Sequence, residues 1–68
     1  MKTTDMFGRG MDHYYAGLEL TADSLQEIEN EIVTAMRLEP SPDVFYFRMR
    51  MSFNEGWLYA HTKDKFNW

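Results

Sequence analysis

The residues of this 68-residue chain whose types could support catalysis are three serines, two histidines and a Gly8-Arg9-Gly10 triplet. A serine nucleophile needs a base within hydrogen-bond reach. Ser24 instead stands where a helix cap is expected, Ser41 lies between two prolines and Ser52 lies near an expected turn. Asp12-His13 and His61 with Asp64 have the composition of carboxylate–histidine pairs, but pairs of this kind are common as plain surface or strand residues. Gly8-Arg9-Gly10 is short and precedes no expected helix, so it lacks the context of a phosphate-cradling loop. With no cysteine there is no thiolate nucleophile, no disulfide and no cysteine-based zinc site, and two histidines do not make a metal cage. The chain reads as non-catalytic, with no cofactor and no metal.

Binding chemistry is better represented. Tyr46, Arg48 and Arg50 alternate with apolar residues, and Trp57, Tyr59 and His61 alternate in a following segment. Arginine and aromatic side chains are favoured at interfaces, and arginine can stack on an aromatic ring. Glu27, Glu29 and Glu31 form a second candidate surface, an acidic helix face suited to a basic partner or to solvation alone. The net charge of −4 hides an uneven distribution. From Glu19 to Asp43 there are seven acidic residues against Arg37 alone, whereas residues 44–68 carry four basic residues and two acidic ones. Eight of the eleven aromatic residues also lie in that last segment.

These residues need elements to position them. Residues 1–10 show no periodicity and are expected to be a loose lead-in to a single domain spanning 1–68. His13 to Leu20 alternates with the period of a half-buried strand. Leu25, Ile28, Ile32, Ala35 and Met36 then recur at intervals of three and four, a helical stripe. Asp23 or Ser24 is the expected N-cap, with Gln26 or Glu27 in capping-box spacing, and Pro40 ends the helix near Leu38 or Glu39. After a stiff Pro40-Ser41-Pro42-Asp43 connector, Val44 to Phe53 alternates again, with Phe45, Phe47, Met49, Met51 and Phe53 on one face and Met49 and Met51 as core filler. Asn54-Glu55-Gly56 provides a turn and Trp57 to Thr62 a third strand. The expected fold is α+β: a βαββ chain with a three-stranded antiparallel sheet and one helix packed on one face. The register of the hairpin, and so whether Trp57, Tyr59 and His61 face outward, stays open. Phe66 and Trp68 are expected to pack back across the sheet or into a dimer seam.

Ala22-Asp23-Ser24-Leu25 opening a helix, a strand with Arg48, Asn54-Glu55-Gly56-Trp57-Leu58-Tyr59 and a closing Lys63-Asp64-Lys65 with Trp68 together resemble the small phage-encoded anti-CRISPR proteins of βαββ type. The resemblance covers about two-thirds of the chain, and the acidic helix and the Pro40-Ser41-Pro42 connector depart from it. It implies a non-catalytic phage or mobile-element protein that binds a bacterial CRISPR effector complex and blocks recognition of target DNA. Two other functions stay open. One is a nucleic-acid-binding module using arginines and aromatics on the open sheet face, against which the overall acidity weighs. The other is a homodimer whose open sheet is its own association surface. The expected partner is thus a bacterial defence or other host protein, or a second copy. Nucleic acid is not expected as a direct partner. No run of about 20 apolar residues and no signal-peptide pattern is present, so the expected place of action is the cytoplasm of the bacterial host cell, with no membrane partner.

Overall fold

The computed structural model describes residues 5–66. Its longest element begins in the segment that sequence suggests is a connector. The Ser41 carbonyl accepts the Phe45 N–H at 3.0 Å, the first helical bond. Pro42 then occupies the first helical position, where its missing N–H costs nothing, and Asp43 lies in the first turn, at the positive end of the helix dipole. The resulting helix runs from Pro42 to Phe66, with Lys63 and Lys65 in its last turn. At 25 residues it is about 37 Å long. It accounts for most of the molecule's 40 Å long axis.

The three-stranded sheet expected from the alternating patterns is therefore absent. The described residues form three helices, α1 (Met6–Tyr15), α2 (Gln26–Met36) and α3 (Pro42–Phe66), and no strand. Both expected C-terminal strands and the Asn54-Glu55-Gly56 turn between them lie inside α3. Period two failed because it shares residues with a helical series: Phe45, Met49, Phe53, Gly56 and Ala60 recur at intervals of four, four, three and four. Phe53, Gly56 and Ala60 are buried and Phe45 and Met49 partly so, whereas Phe47 and Met51, expected inside with them, are exposed. Met51 is thus not core filler. Phe66 is exposed, and Trp68 lies outside the described residues.

The first expected strand and most of the expected lead-in are also helical. α1 closes on a Schellman motif: the Gly17 N–H bonds to the Tyr14 carbonyl at 2.9 Å and the Leu18 N–H to the His13 carbonyl at 3.2 Å. Gly17 makes this closure with φ at +83°, the left-handed region that side chains with a Cβ avoid. The apolar stripe of Leu25, Ile28 and Ile32 is present on α2 and is buried. Its entry differs from the expected cap at Asp23 or Ser24. Thr21 and Ser24 bond reciprocally, the Ser24 N–H to Thr21 Oγ1 at 3.2 Å and the Thr21 N–H to Ser24 Oγ at 3.3 Å, so Ser24 fills the role of the glutamate in a capping box. After Met36, i to i+3 bonds from the Leu38 and Glu39 amides tighten the last turn before Pro40 stops it.

Packing centres on α3. Met6 from α1, Leu25, Ile28 and Ile32 from the α2 segment and Phe53 from α3 form the buried core, with Leu20, Phe45, Tyr46 and Met49 against it. The α1–α3 crossing is unusually close because each helix presents a glycine to the other's backbone. A Cβ on Gly10 would overlap the Phe53 carbonyl oxygen and lie 2.8 Å from the Trp57 nitrogen, and a Cβ on Gly56 would overlap the Phe7 carbonyl oxygen. By contrast, a Cβ on Gly8 would meet only the Asp5 side chain, the nearest atom at 2.9 Å, which can swing away. Helix propensity alone favours alanine over glycine by about 1 kcal/mol at all three positions. Gly8→Ala is therefore expected to raise the stability measured by urea unfolding by about 0.5–1 kcal/mol. Gly10→Ala and Gly56→Ala should each lower it by about 2 kcal/mol or more. Equal, small effects at the three positions would refute the close crossing.

Candidate functional site

The acidic face of α2 is held largely by the protein itself. At 100° per residue, Glu29 and Glu31 fall on opposite flanks of the Ile28–Ile32 stripe, so each points along the seam with a different neighbouring helix. Glu31 accepts a bidentate pair from Arg9 of α1, Nη1 to Oε1 at 2.8 Å and Nη2 to Oε2 at 2.7 Å. Its hydrogen bonds from the guanidinium hold the Glu31 carboxyl below its ordinary value, and the same bonds raise the Arg9 pKa. Glu29 pairs with Arg50 of α3 and accepts the Tyr46 hydroxyl at 2.6 Å. That bond to a carboxylate, with some desolvation, raises the tyrosine's pKa. Tyr46 and Arg50, expected on an open sheet face with Arg48, instead clasp α3 to α2. Glu27 and Arg48 are exposed.

His13 and Ser24 meet in a way the sequence did not signal. His13 is buried with its ring edge-on to Phe53, centroids 5.2 Å apart, and its Nε2 lies 3.2 Å from both Ser24 Oγ and the Glu19 carbonyl. With its proton on Nε2 the ring donates to that carbonyl. The Ser24 hydroxyl also donates to the Glu19 carbonyl. His13 and Ser24 thus converge on one backbone oxygen, which fastens the α1–α2 loop. Asp12 is exposed.

The remaining candidates divide between two sides of α3. Tyr59 lies with Phe7 at a centroid distance of 5.6 Å and under Lys63 Nζ at 5.9 Å. Trp57 and His61, one turn apart, stack with centroids at 5.3 Å and planes 11° apart. Tyr14 of α1 meets both rings edge-on, at 5.3 and 5.6 Å. Its hydroxyl donates to Asp64 Oδ2 at 2.7 Å, which raises the Tyr14 pKa. The Trp57 indole N–H donates to the Leu18 carbonyl at 2.8 Å, fixing the Schellman loop against α3. These groups and Tyr15 line an open groove of about 580 Å³, with Glu19, Asp64 and Lys65 also on its walls. Aromatic faces beside carboxylates suit a cationic side chain, held by cation–π attraction and ion pairing. The sequence offered Trp57 and His61, and Asp64 as a possible pair for His61, but not Tyr14 and Tyr15 as their neighbours. The helical spacing 57, 61, 64 was the available signal.

Among the described residues no three His, Cys, Asp or Glu side chains form a metal-binding group, and no helix is long and apolar enough to cross a membrane. No family model, curated protein or solved structure matches the chain.

The Arg9–Glu31 pair makes stability depend on pH. The folded carboxyl titrates below the ordinary 4.5, so its contribution is complete above that value and is lost as pH falls through the folded pKa. The pair is partly exposed, so screening limits it to about 1 kcal/mol. Glu31→Gln should reduce urea-unfolding stability by about that amount at pH 7 and flatten its fall below pH 4.5, whereas an unchanged acid limb would remove the pair from the account.

Proposed function

We propose that the chain is a non-catalytic protein-binding domain that takes a basic side chain of a bacterial partner into the Tyr14–Trp57–His61 groove. The observation that carries this reading is the convergence of three rings from two helices in a groove lined also by Glu19, Asp64 and Lys65, two acids to one base. Their positions are preset by the Trp57–Leu18 and Tyr14–Asp64 hydrogen bonds, so binding need not order them. A cysteine-free chain is consistent with action in the reducing cytoplasm of a bacterial cell. The narrower role of blocking a CRISPR effector leaned on strands and a hairpin whose residues are helical, so the proposal stops at stoichiometric binding of a bacterial protein. Nucleic acid fits less well, because Arg9 and Arg50 are already paired with glutamates.

Tyr15 and Glu19 are exposed on the groove wall, and the hydrogen-bonding part of Glu19 is its backbone carbonyl, so both tolerate substitution without loss of the fold. Affinity capture from bacterial lysates should recover a stoichiometric protein with the wild type, and Tyr15→Ala and Glu19→Lys should each reduce its recovery at least tenfold. Absence of any stoichiometric protein across several lysates, or undiminished recovery with both variants, would overturn the reading.

A further inference from the structure

α3 is apolar on two faces, and α1 and α2 cover only one of them. Val44, Phe47, Met51 and Leu58 are 52%, 63%, 45% and 51% exposed. At 100° per residue they fall within about 60° of arc, on the side of α3 opposite Phe53 and Ala60. Their spacing of three, four and seven is that of a two-helix seam, in which successive layers alternate between intervals of three and four.

The charges beside this stripe select its occupant. Arg48 and Glu55 border it on one side, both exposed and neither ion-paired among the described residues. α3 is also acidic at its start, at Asp43, and basic at its end, at Lys63 and Lys65. A second α3 laid antiparallel and centred on Met51 brings Val44 to the second copy's Leu58 and Met51 to the second copy's Met51. The same register places Arg48 beside the second copy's Glu55, twice by symmetry, and brings the Lys65 end of each copy to the Asp43 end of the other. A parallel pairing would set Arg48 against the second copy's Asp43 and Glu55 against its Arg50, but Arg50 is already held by Glu29, and it would bring the Lys65 ends of both copies together. We infer that the outer face of α3 is a self-association surface on which two copies of this chain pair antiparallel, with Met51 on the twofold axis and reciprocal Arg48–Glu55 contacts. The seam borders the aromatic groove, since Leu58 lies one turn from His61, while Tyr15 and Glu19 line that groove from the α1 side.

Sedimentation equilibrium at about 100 μM chain tests the pairing; seams smaller than a standard interface of about 1,600 Å² associate weakly, which sets that concentration. The wild type should show twice the chain mass of 8.1 kDa, and Met51→Glu should return it to the single-chain value. Arg48→Glu and Glu55→Arg should each weaken the dimer at least tenfold, and the double variant should restore it. Restoration is specific to the antiparallel arrangement. In a parallel pair the double swap sets the acid introduced by Arg48→Glu against Asp43 and the base introduced by Glu55→Arg against Arg50, and both contacts repel. A monomeric wild type, a dimer insensitive to Met51→Glu, or a double variant that fails to recover each overturns the proposal. A monomer that captures another protein through Met51 does so as well, assigning the face to a different occupant. Tyr15→Ala should leave the dimer intact, so failure of the groove reading and failure of this one are separately visible.

Discussion

Where α1 crosses α3, the backbone of each helix fills the space that a side chain would need on the other. Gly10 lies against the Phe53 carbonyl and Gly56 against the Phe7 carbonyl. Two glycines in helix interiors are a local cost that only such a contact offsets. The approach sets what can happen elsewhere: Met6 reaches the core between α2 and α3, His13 meets Phe53, and Tyr14 comes within ring contact of Trp57 and His61. A wider crossing would separate all three. The small size of the domain adds weight to this contact, since a chain of this length has few other buried side chains to hold it together.

Around that crossing the charged residues act as fasteners between helices more than as an outward surface. α2 carries one carboxylate to each neighbour, Glu31 to Arg9 and Glu29 to Arg50 and Tyr46. Pairs of this kind fix the orientation of a short helix better than they stabilise it, because the gain in attraction is partly cancelled by desolvation. With those arginines occupied, the features left for partners are chemically distinct: an aromatic groove with acidic walls at one end of α1, and an apolar stripe bordered by Arg48 and Glu55 on the far side of α3.

Much of α2 was legible in the sequence because Leu25, Ile28 and Ile32 admit only one period. α3 was not, because it has apolar residues on both faces: Phe45, Phe47, Met49, Met51 and Phe53 satisfy strict alternation, while Phe45, Met49 and Phe53 also satisfy the helical interval. A helix with one apolar stripe would have broken the alternation. Two signals pointed the other way. Ser41-Pro42-Asp43 is a helix start as much as a connector, and arginine, methionine, glutamate, leucine and lysine through the segment are good helix formers. Gly10 and Gly56 looked like a loop and a turn because a glycine demanded by helix–helix contact is indistinguishable in sequence from one demanded by a turn. Of the candidate site residues, Trp57 and His61 share the groove, Tyr46 and Arg50 became internal partners of Glu29, and Tyr59 lies on another side of α3.

Nuclear magnetic resonance of the labelled chain tests the continuous α3 and its crossing by α1 at reciprocal glycines in one experiment. Helical ¹³Cα shifts should run without interruption from Pro42 to Phe66, and nuclear Overhauser effects should link the Gly10 α-protons to Phe53 and the Gly56 α-protons to Phe7. Strand-type shifts over Val44 to Phe53 with a break at Asn54-Glu55-Gly56, or a helical α3 lacking both glycine contacts, would contradict this arrangement.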